Sequence, residues 1–250
     1  MTVKKQASFA KKKQINKDYT CESIQSHEIY HSFYMPRAVF LLQNTCSKKH
    51  SSFFSLPPPL VVIDAGHGGK DRGASSNNKK YHEKHFTLKL AWMVKKALDE
   101  RGYRTIMTRK KDYYLSLKQR VDIAKNASCF LSIHFNAAKN KDAEGIEVFH
   151  SDEKLKKNIL AQNLAKHILE HSCKTSKAPS RGVKTANFYV IKNNNIAAVL
   201  IEGGFLTNTS EMNRIQNPSY LYRLAHGIAN GVDHYFIEQK NKRLSKLQKP

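Results

Sequence analysis

"VVIDAGHGGKDRGA", residues 61–74, opens with a β-branched run and then breaks into four glycines around a single histidine. Val61 to Ile63, with Leu60 before them, have the composition of a buried strand, and Gly66, Gly68, Gly69 and Gly73 cannot prolong it. His67 therefore sits just past a strand end. The flanking glycines leave its imidazole unscreened and let a neighbouring backbone or a ligand come close. That suits a site at the carboxyl edge of a sheet.

From that strand onward, strand-like and helix-like patterns alternate. "FTLKLAWMVKKALDERG" carries Leu88, Met93, Val94, Ala97 and Leu98 near helical spacing and is stopped by Gly102. "YRTIMT" reads as a strand, "LSLKQRVDIAKNA" as a second helix with Leu117, Val121 and Ala124 on one face, and "CFLSIHFNA" as another buried strand. "GIEVFH", "FYVI" and "AAVLIEGG" read as further strands, "NILAQNLAKHILEH" as a third helix and "SYLYRLAHGIANGVDHYF" as the closing one. The pattern predicts a single α/β domain, a twisted, mixed or mostly parallel sheet with helices on both faces.

Two more strands end as the first does. "FLSI" runs into His134, and "AAVLI" into Glu202 followed by Gly203 and Gly204. Strand ends converge in an open α/β sheet, and convergence is what metal binding requires. Two histidines and a carboxylate, with a fourth position left for water, make a hydrolytic zinc site, and a further carboxylate serves as general base. Between Asp71 and Asp99 the only carboxylate is Glu83, at the start of the first long helix and within reach of the first strand end. Glu202 then remains as the base. His82 and His85 flank Glu83 and are rival donors by residue type.

Composition sets the outer bounds. The 250 residues suffice for one full core with tails, and 40 % hydrophobic content fits a globular protein. The net charge of +23 favours an anionic partner. It is uneven: residues 1–60 carry nine Lys/Arg against three acids, and residues 237–250 five against one. Three parts follow: a basic leader over 1–59 ending in "FFSLPPP", a folded domain over 60–237, and a basic tail over 238–250. Cys21, Cys46, Cys129 and Cys173 show no CxxC spacing, which excludes a cysteine zinc ribbon, and Cys129 reads as a core residue. "MPRAVFLLQNTCSKK" from Met35 is only faintly like a signal sequence, and no segment reaches a membrane span of about 18 apolar residues.

With these residues in view, the chain from about Leu60 to Phe236 resembles the zinc-dependent N-acetylmuramoyl-L-alanine amidase family. The matching stretches are "VVIDAGHGGKDRGA", "EK" at Glu83 and Lys84, "TRKKDYYLSLKQRVDIAKNASCFLSIHFNA", "RGVKTANFYVIKNNN" and "AVLIEGGFLTN", in the family's order. The loop "SSNNKKYH" before Glu83 departs from the family in lacking the glycines often found there. The resemblance implies one Zn2+ per chain held by His67, Glu83 and His134, with Glu202 as the catalytic acid/base. The reaction it implies is hydrolysis of the amide between the lactyl group of N-acetylmuramic acid and the L-alanine of a peptidoglycan stem peptide, in wall remodelling, cell separation or recycling. It further implies action in the cell envelope, periplasmic or extracellular.

Asp64, Arg120 and Asn126 are candidates for orienting the ligands from behind, and Asn136 and Glu147 for touching substrate. Peptidoglycan is the expected partner, with charge-based contact to anionic lipid or wall through the leader and tail. No nucleic-acid partner is expected, since no stacking aromatic sheet is visible. The segment between "GIEVFH" and the third helix is too short for an inserted blocking helix, which implies an open site. Two alternatives remain. Ser151 to Lys154 fits S-x-x-K, and "KTA" at Lys184 to Ala186 is near K-T-G, the pattern of a penicillin-sensitive serine carboxypeptidase. The other is a non-catalytic peptidoglycan-binding module, against which stands the presence of all four expected residues.

Overall fold

Strand and helix periods resolve into six strands and six helices in the computed structural model of the chain, which describes residues 57–152 and 156–248. The leader up to residue 56, with Cys21 and Cys46, and Lys154 of the serine motif lie outside those residues.

The strands are β1 (Leu60–Ala65), β2 (Arg104–Met107), β3 (Cys129–Asn136), β4 (Ile146–His150), β5 (Ser180–Thr185) and β6 (Ala197–Phe205), arranged β2-β1-β3-β6-β4-β5. β2, β1, β3 and β6 are parallel to one another, whereas β4 is antiparallel to β6 and β5 follows β4. The sheet is thus mixed and mostly parallel, as expected. The helices are α1 (Glu83–Asp99), α2 (Leu117–Ile123), α3 (Lys156–Ser176), α4 (Tyr189–Lys192), α5 (Thr209–Gln216) and α6 (Pro218–Leu247).

The period-2 alternation of the strands divides the molecule into two cores. Val61, Ile63, Leu131, Ile133, Val148, Val199 and Ile201 face the larger one, packed under α1, α3 and α6. Val62, Phe130, Ala198 and Leu200 face the smaller one, closed by Ala124, Val190 and Ile191 near α2 and in α4. Cys129 is fully buried in the larger core, in line with its sequence context. Local chemistry fixes several helix starts. Ser116 and Gln119 form a reciprocal capping box on α2, and Asn217 caps α6 ahead of Pro218. Gly227 and Gly231 let α6 lie against the backbone of α3: a Cβ at Gly231 would fall 2.5 Å from Ile168 Cα.

Two expectations are corrected. "FYVI" is not a strand: Tyr189 to Lys192 form the single turn α4, with Phe188 at its cap. Val190 and Ile191 are apolar because they plug the smaller core, and one helical turn buries them as well as a strand would. The sixth strand is instead the polar, largely exposed edge segment Ser180–Thr185. At the other end, residues 238–247 of the basic tail continue α6 without a break.

Candidate metal centre

The carboxyl ends of β1, β3 and β6 lie side by side, and the β3–β6 register places His134 opposite Glu202. Glu202 in turn pairs with Glu147 at the start of the antiparallel β4. Directly opposed residues share a face, so His134, Glu202 and Glu147 form one row on the side closed by α2 and α4. The pairing slips just after Glu202, where β6 spends three steps to Phe205 while β3 spends two to Asn136. A bulge of this kind re-aims side chains beside a site, and the Gly203–Gly204 pair supplies it.

Glu83 is the first residue of α1, where the helix dipole favours a carboxylate. It is 3 % exposed, and its two oxygens are fully engaged. Oε1 accepts from Phe135 N at 3.0 Å and lies 2.9 Å from His134 Nδ1. Oε2 accepts from Ala74 N at 2.8 Å and lies 3.1 Å from His67 Nε2. The donor atoms of His67, Glu83 and His134 all fall within 4.8 Å of one another. Two imidazole nitrogens and a carboxylate oxygen so converged are the donor set of a three-ligand divalent-metal site. His82 and His85 are not part of it: His82 bonds Ser75 Oγ, and His85 is exposed on α1.

The glycines explain how the imidazoles fit. A Cβ on Gly66 would lie 2.4 Å from His134 Nε2, and one on Gly73 would lie 2.5 Å from Glu83 Oε2. His67 itself has φ 60, a left-handed conformation that a non-glycine residue adopts only when its surroundings enforce it. The enforcement is visible. Arg120 donates to the His67 and Ala65 carbonyls and to Asp64 Oδ1 at 2.7 Å, and Asp64 also accepts from Thr108 and Ser132. The loop before Glu83, which lacks glycines, turns at Lys79 with φ 56 and is stitched by Ser76 to Asn78 and Tyr81.

Charge follows from this packing. Burial pushes the Glu83 carboxyl up, but the two imidazoles outweigh it and hold it well below the carboxylate range. Burial draws the His67 imidazole down, and its contacts with Glu83 and Asp71 more than offset this, so the net shift is upward. Glu202 is raised well above an ordinary carboxyl by burial, then by Glu83 and Glu147. Its Oε2 is sealed from solvent with no hydrogen-bond partner. A buried acceptor in that state, facing a cleft of about 620 Å3 that His67, Glu83 and His134 also line, is poised to meet a molecule entering from outside.

Of the remaining residues read from the sequence, Asp64 and Arg120 do support the His67 loop from behind. Asn136 lines the cleft and donates to Glu147 Oε1 at 2.6 Å. Glu147 is buried one strand further back, where Arg181 and Lys184 neutralise it. It positions Asn136 rather than presenting a free carboxylate. Asn126 is corrected: it is exposed in the turn leading into β3, at the opposite edge of the sheet, because α2 ends at Ile123. Ser151 is 1 % exposed, and Lys184 is committed to Glu147, which leaves the serine-enzyme pattern without an accessible hydroxyl.

Two residues escaped the sequence reading. Asp71 Oδ2 accepts from His67 Nδ1 at 2.9 Å, which turns Nε2 towards Glu83. Its signal was the spacing H-x-x-x-D inside the glycine loop. Arg109, fully buried, bonds the carbonyls of Ala65, Gly66 and Lys84 and so ties the β1 exit to the start of α1.

Comparison with known proteins now bears on this geometry. The profile of the Amidase_3 family, described as N-acetylmuramoyl-L-alanine amidase, matches residues 61–234. The chain belongs to this amidase family. A relative from Staphylococcus saprophyticus, the probable cell wall amidase LytH, is 33 % identical over 196 residues, 78 % of this chain and 64 % of the relative. Among solved structures, an N-acetylmuramoyl-L-alanine amidase from Clostridium difficile 630 matches with a TM-score of 0.69 and 36 % identity, over 72 % of this chain and 98 % of that one. The catalytic domain of the amidase CwlV from Bacillus (Paenibacillus) polymyxa matches with a TM-score of 0.67 and 34 % identity, over 71 % and 98 %. The share of curated relatives that is spanned varies, from 84 % of the Bacillus subtilis protein YqiI to 51 % of the Haemophilus influenzae protein AmiB. The family match ends at His234, inside α6, which continues to Leu247.

Proposed function

We propose that this amidase-family chain cuts the bond between the lactyl group of N-acetylmuramic acid and L-alanine in peptidoglycan, using one Zn2+ held by His67, Glu83 and His134. The single observation that carries the reading is the convergence of those three donors beside the unpartnered, buried Oε2 of Glu202. A zinc ion bound there supplies a Lewis acid that acidifies water and polarises an amide carbonyl.

The chain's own groups do the rest. Asp71 fixes the orientation of His67, and the Asp64–Arg120 pair holds the loop that carries it. Glu202 takes a proton from the attacking water and delivers it to the departing amine of L-alanine; its raised proton affinity suits both halves of that exchange. Asn136, steadied by Glu147, offers an amide to the substrate at the cleft edge. Tyr114, Phe188 and Tyr189 give the cleft flat apolar faces that shield the reacting bond from bulk water.

The same reading assigns catalysis to residues 60–237, envelope contact to the basic leader and tail, and an open site that needs no activator. Action at the cell envelope accords with the relatives named as cell wall amidases. Among the described residues no helix is long and apolar enough to cross a membrane. The test is digestion of purified muropeptides with added zinc, read by mass spectrometry, beside a chelated sample and Glu202→Ala. Free stem peptide and peptide-free glycan, lost in both controls, are expected. A folded, zinc-loaded chain that releases neither would overturn the proposal.

A further inference from the structure

On the face of the sheet away from the cleft, α3 carries His167 and His171 and α6 carries His234 and Glu238. Each pair is spaced i, i+4, which stacks its members on one side of a helix, one turn apart. Gly227 and Gly231 then press the two helices together: Cβ atoms there would fall 2.6 Å from Ser172 Cα and 2.5 Å from Ile168 Cα. The four side chains are forced into a two-by-two grid at the surface.

The four side chains are neighbours whose donor atoms do not yet converge, since among the described residues only His67, Glu83 and His134 bring three donors within 4.8 Å of one another. The rings of His171 and His234 are 4.1 Å apart and those of His167 and His234 6.4 Å, between centroids. His67 and His134, at the candidate catalytic centre, are separated by 4.8 Å, so the grid's two spacings straddle that value. Glu238 Oε2 reaches His167 Nε2 at 2.6 Å, while its other oxygen is held by Lys242. Three imidazoles and one carboxylate are residue types that suit a tetrahedral zinc shell. The catalytic donors already converge; the grid needs a rotation, since His171 and His234 stack face to face at 28°. Room for it exists, because His167, His234 and Glu238 border an open groove of about 490 Å3.

We infer that His167, His171, His234 and Glu238 form a second divalent-metal site, taking Zn2+ or a cation of similar preference, that clamps α3 to the α6 extension. It owes nothing to the cleft, and Glu238 lies past the last residue matched by the family. The clamp is structural: it joins two helices whose contact would otherwise rest on apolar packing and on the His167–Glu238 bond.

The experiment is equilibrium binding of zinc to the full chain at neutral pH, compared with His171→Ala/His234→Ala, together with Co2+ absorption and amidase rate for both proteins. The expected result is a loss of one metal equivalent and of one tetrahedral Co2+ band in the variant, with the amidase rate unchanged. The difference between the proteins is the readout, so the site is tested even if the cleft binds no metal or cuts no substrate. His234 is exposed, and His234→Ala alone serves where the double variant does not fold. Equal metal stoichiometry in the wild type and the folded variant overturns the inference.

Discussion

Gly66→Ala probes the candidate centre through a single methyl group. The added Cβ would stand 2.4 Å from His134 Cε1 and Nε2, against an ordinary contact of about 3.5–4.0 Å, so roughly 1 Å of displacement is needed. The backbone cannot supply it: Gly66 N donates to Ile133 O, and its carbonyl accepts from Arg109 and Thr87. The ring must move instead, carrying Nδ1 away from Glu83. Overpacking of this size costs about 1–3 kcal/mol of stability, and a 1 Å misplacement of a catalytic group about 100-fold in rate. We therefore expect Gly66→Ala to remain folded, to bind zinc at least tenfold more weakly in a competitive chelator titration, and to release stem peptide about 100-fold more slowly. Gly102→Ala is the control. At φ +81 it suffers backbone strain of about 1–2 kcal/mol, yet its Cβ meets nothing within 4 Å, so zinc affinity and rate should stay at wild-type values. A Gly66→Ala protein with unaltered zinc affinity and rate would refute the reasoning.

Four further outcomes follow from the same contacts. Glu202→Gln should lower kcat by about 100- to 10,000-fold while zinc stoichiometry is kept, measured by turnover and metal analysis. In the metal-free protein the raised pKa of Glu202 means that the folded state keeps a proton the unfolded chain gives up, so stability falls as pH rises from 4.5 through the raised value. Urea unfolding should show that Glu202→Gln gains on the wild type between pH 5 and pH 8, and a pH-independent difference would contradict this. The His67 pKa is raised as well, burial drawing it down and Glu83 and Asp71 more than offsetting this, so its contribution to the metal-free fold is present below 6.5 and is lost as pH rises through the raised value, while zinc must displace the proton. Zinc affinity should accordingly fall by about tenfold per pH unit below that pKa, as read by calorimetry. Asp64→Ala leaves Arg120 buried without its ion pair and should cost about 3–5 kcal/mol in denaturant unfolding.

The candidate site was legible where chemistry sits at the end of an apolar run. His67 lies two residues past β1, His134 and Glu202 follow the apolar runs inside β3 and β6, and no structural reason calls for a titratable group at all three places. Glu83 was legible by elimination among carboxylates, although its aim depends on Ala74 N and Phe135 N, two backbone donors that no sequence pattern reports. Asp71 and Arg109 act on atoms brought near by the fold, the first on a ring nitrogen and the second on carbonyls from β1 and α1. Polar residues in loops give no periodicity from which such contacts can be read. The errors in secondary structure share a cause: burial sets the apolar pattern, not the backbone conformation. Val190 and Ile191 are buried by one helical turn, whereas Ser180–Thr185 is a sheet edge with little to bury and so little to signal. Asn126 was placed by extending a helix three residues beyond its actual end.

The parallel run of β1, β3 and β6 also orders events in time. The candidate site is drawn from residues 67, 83, 134 and 202, and all four meet only when β1, β3 and β6 have closed in register. A chain leaving the ribosome thus has no complete candidate centre until Glu202 is out. The capacity to cut a wall polymer arrives late, with β6, before α5 and α6 close the larger core.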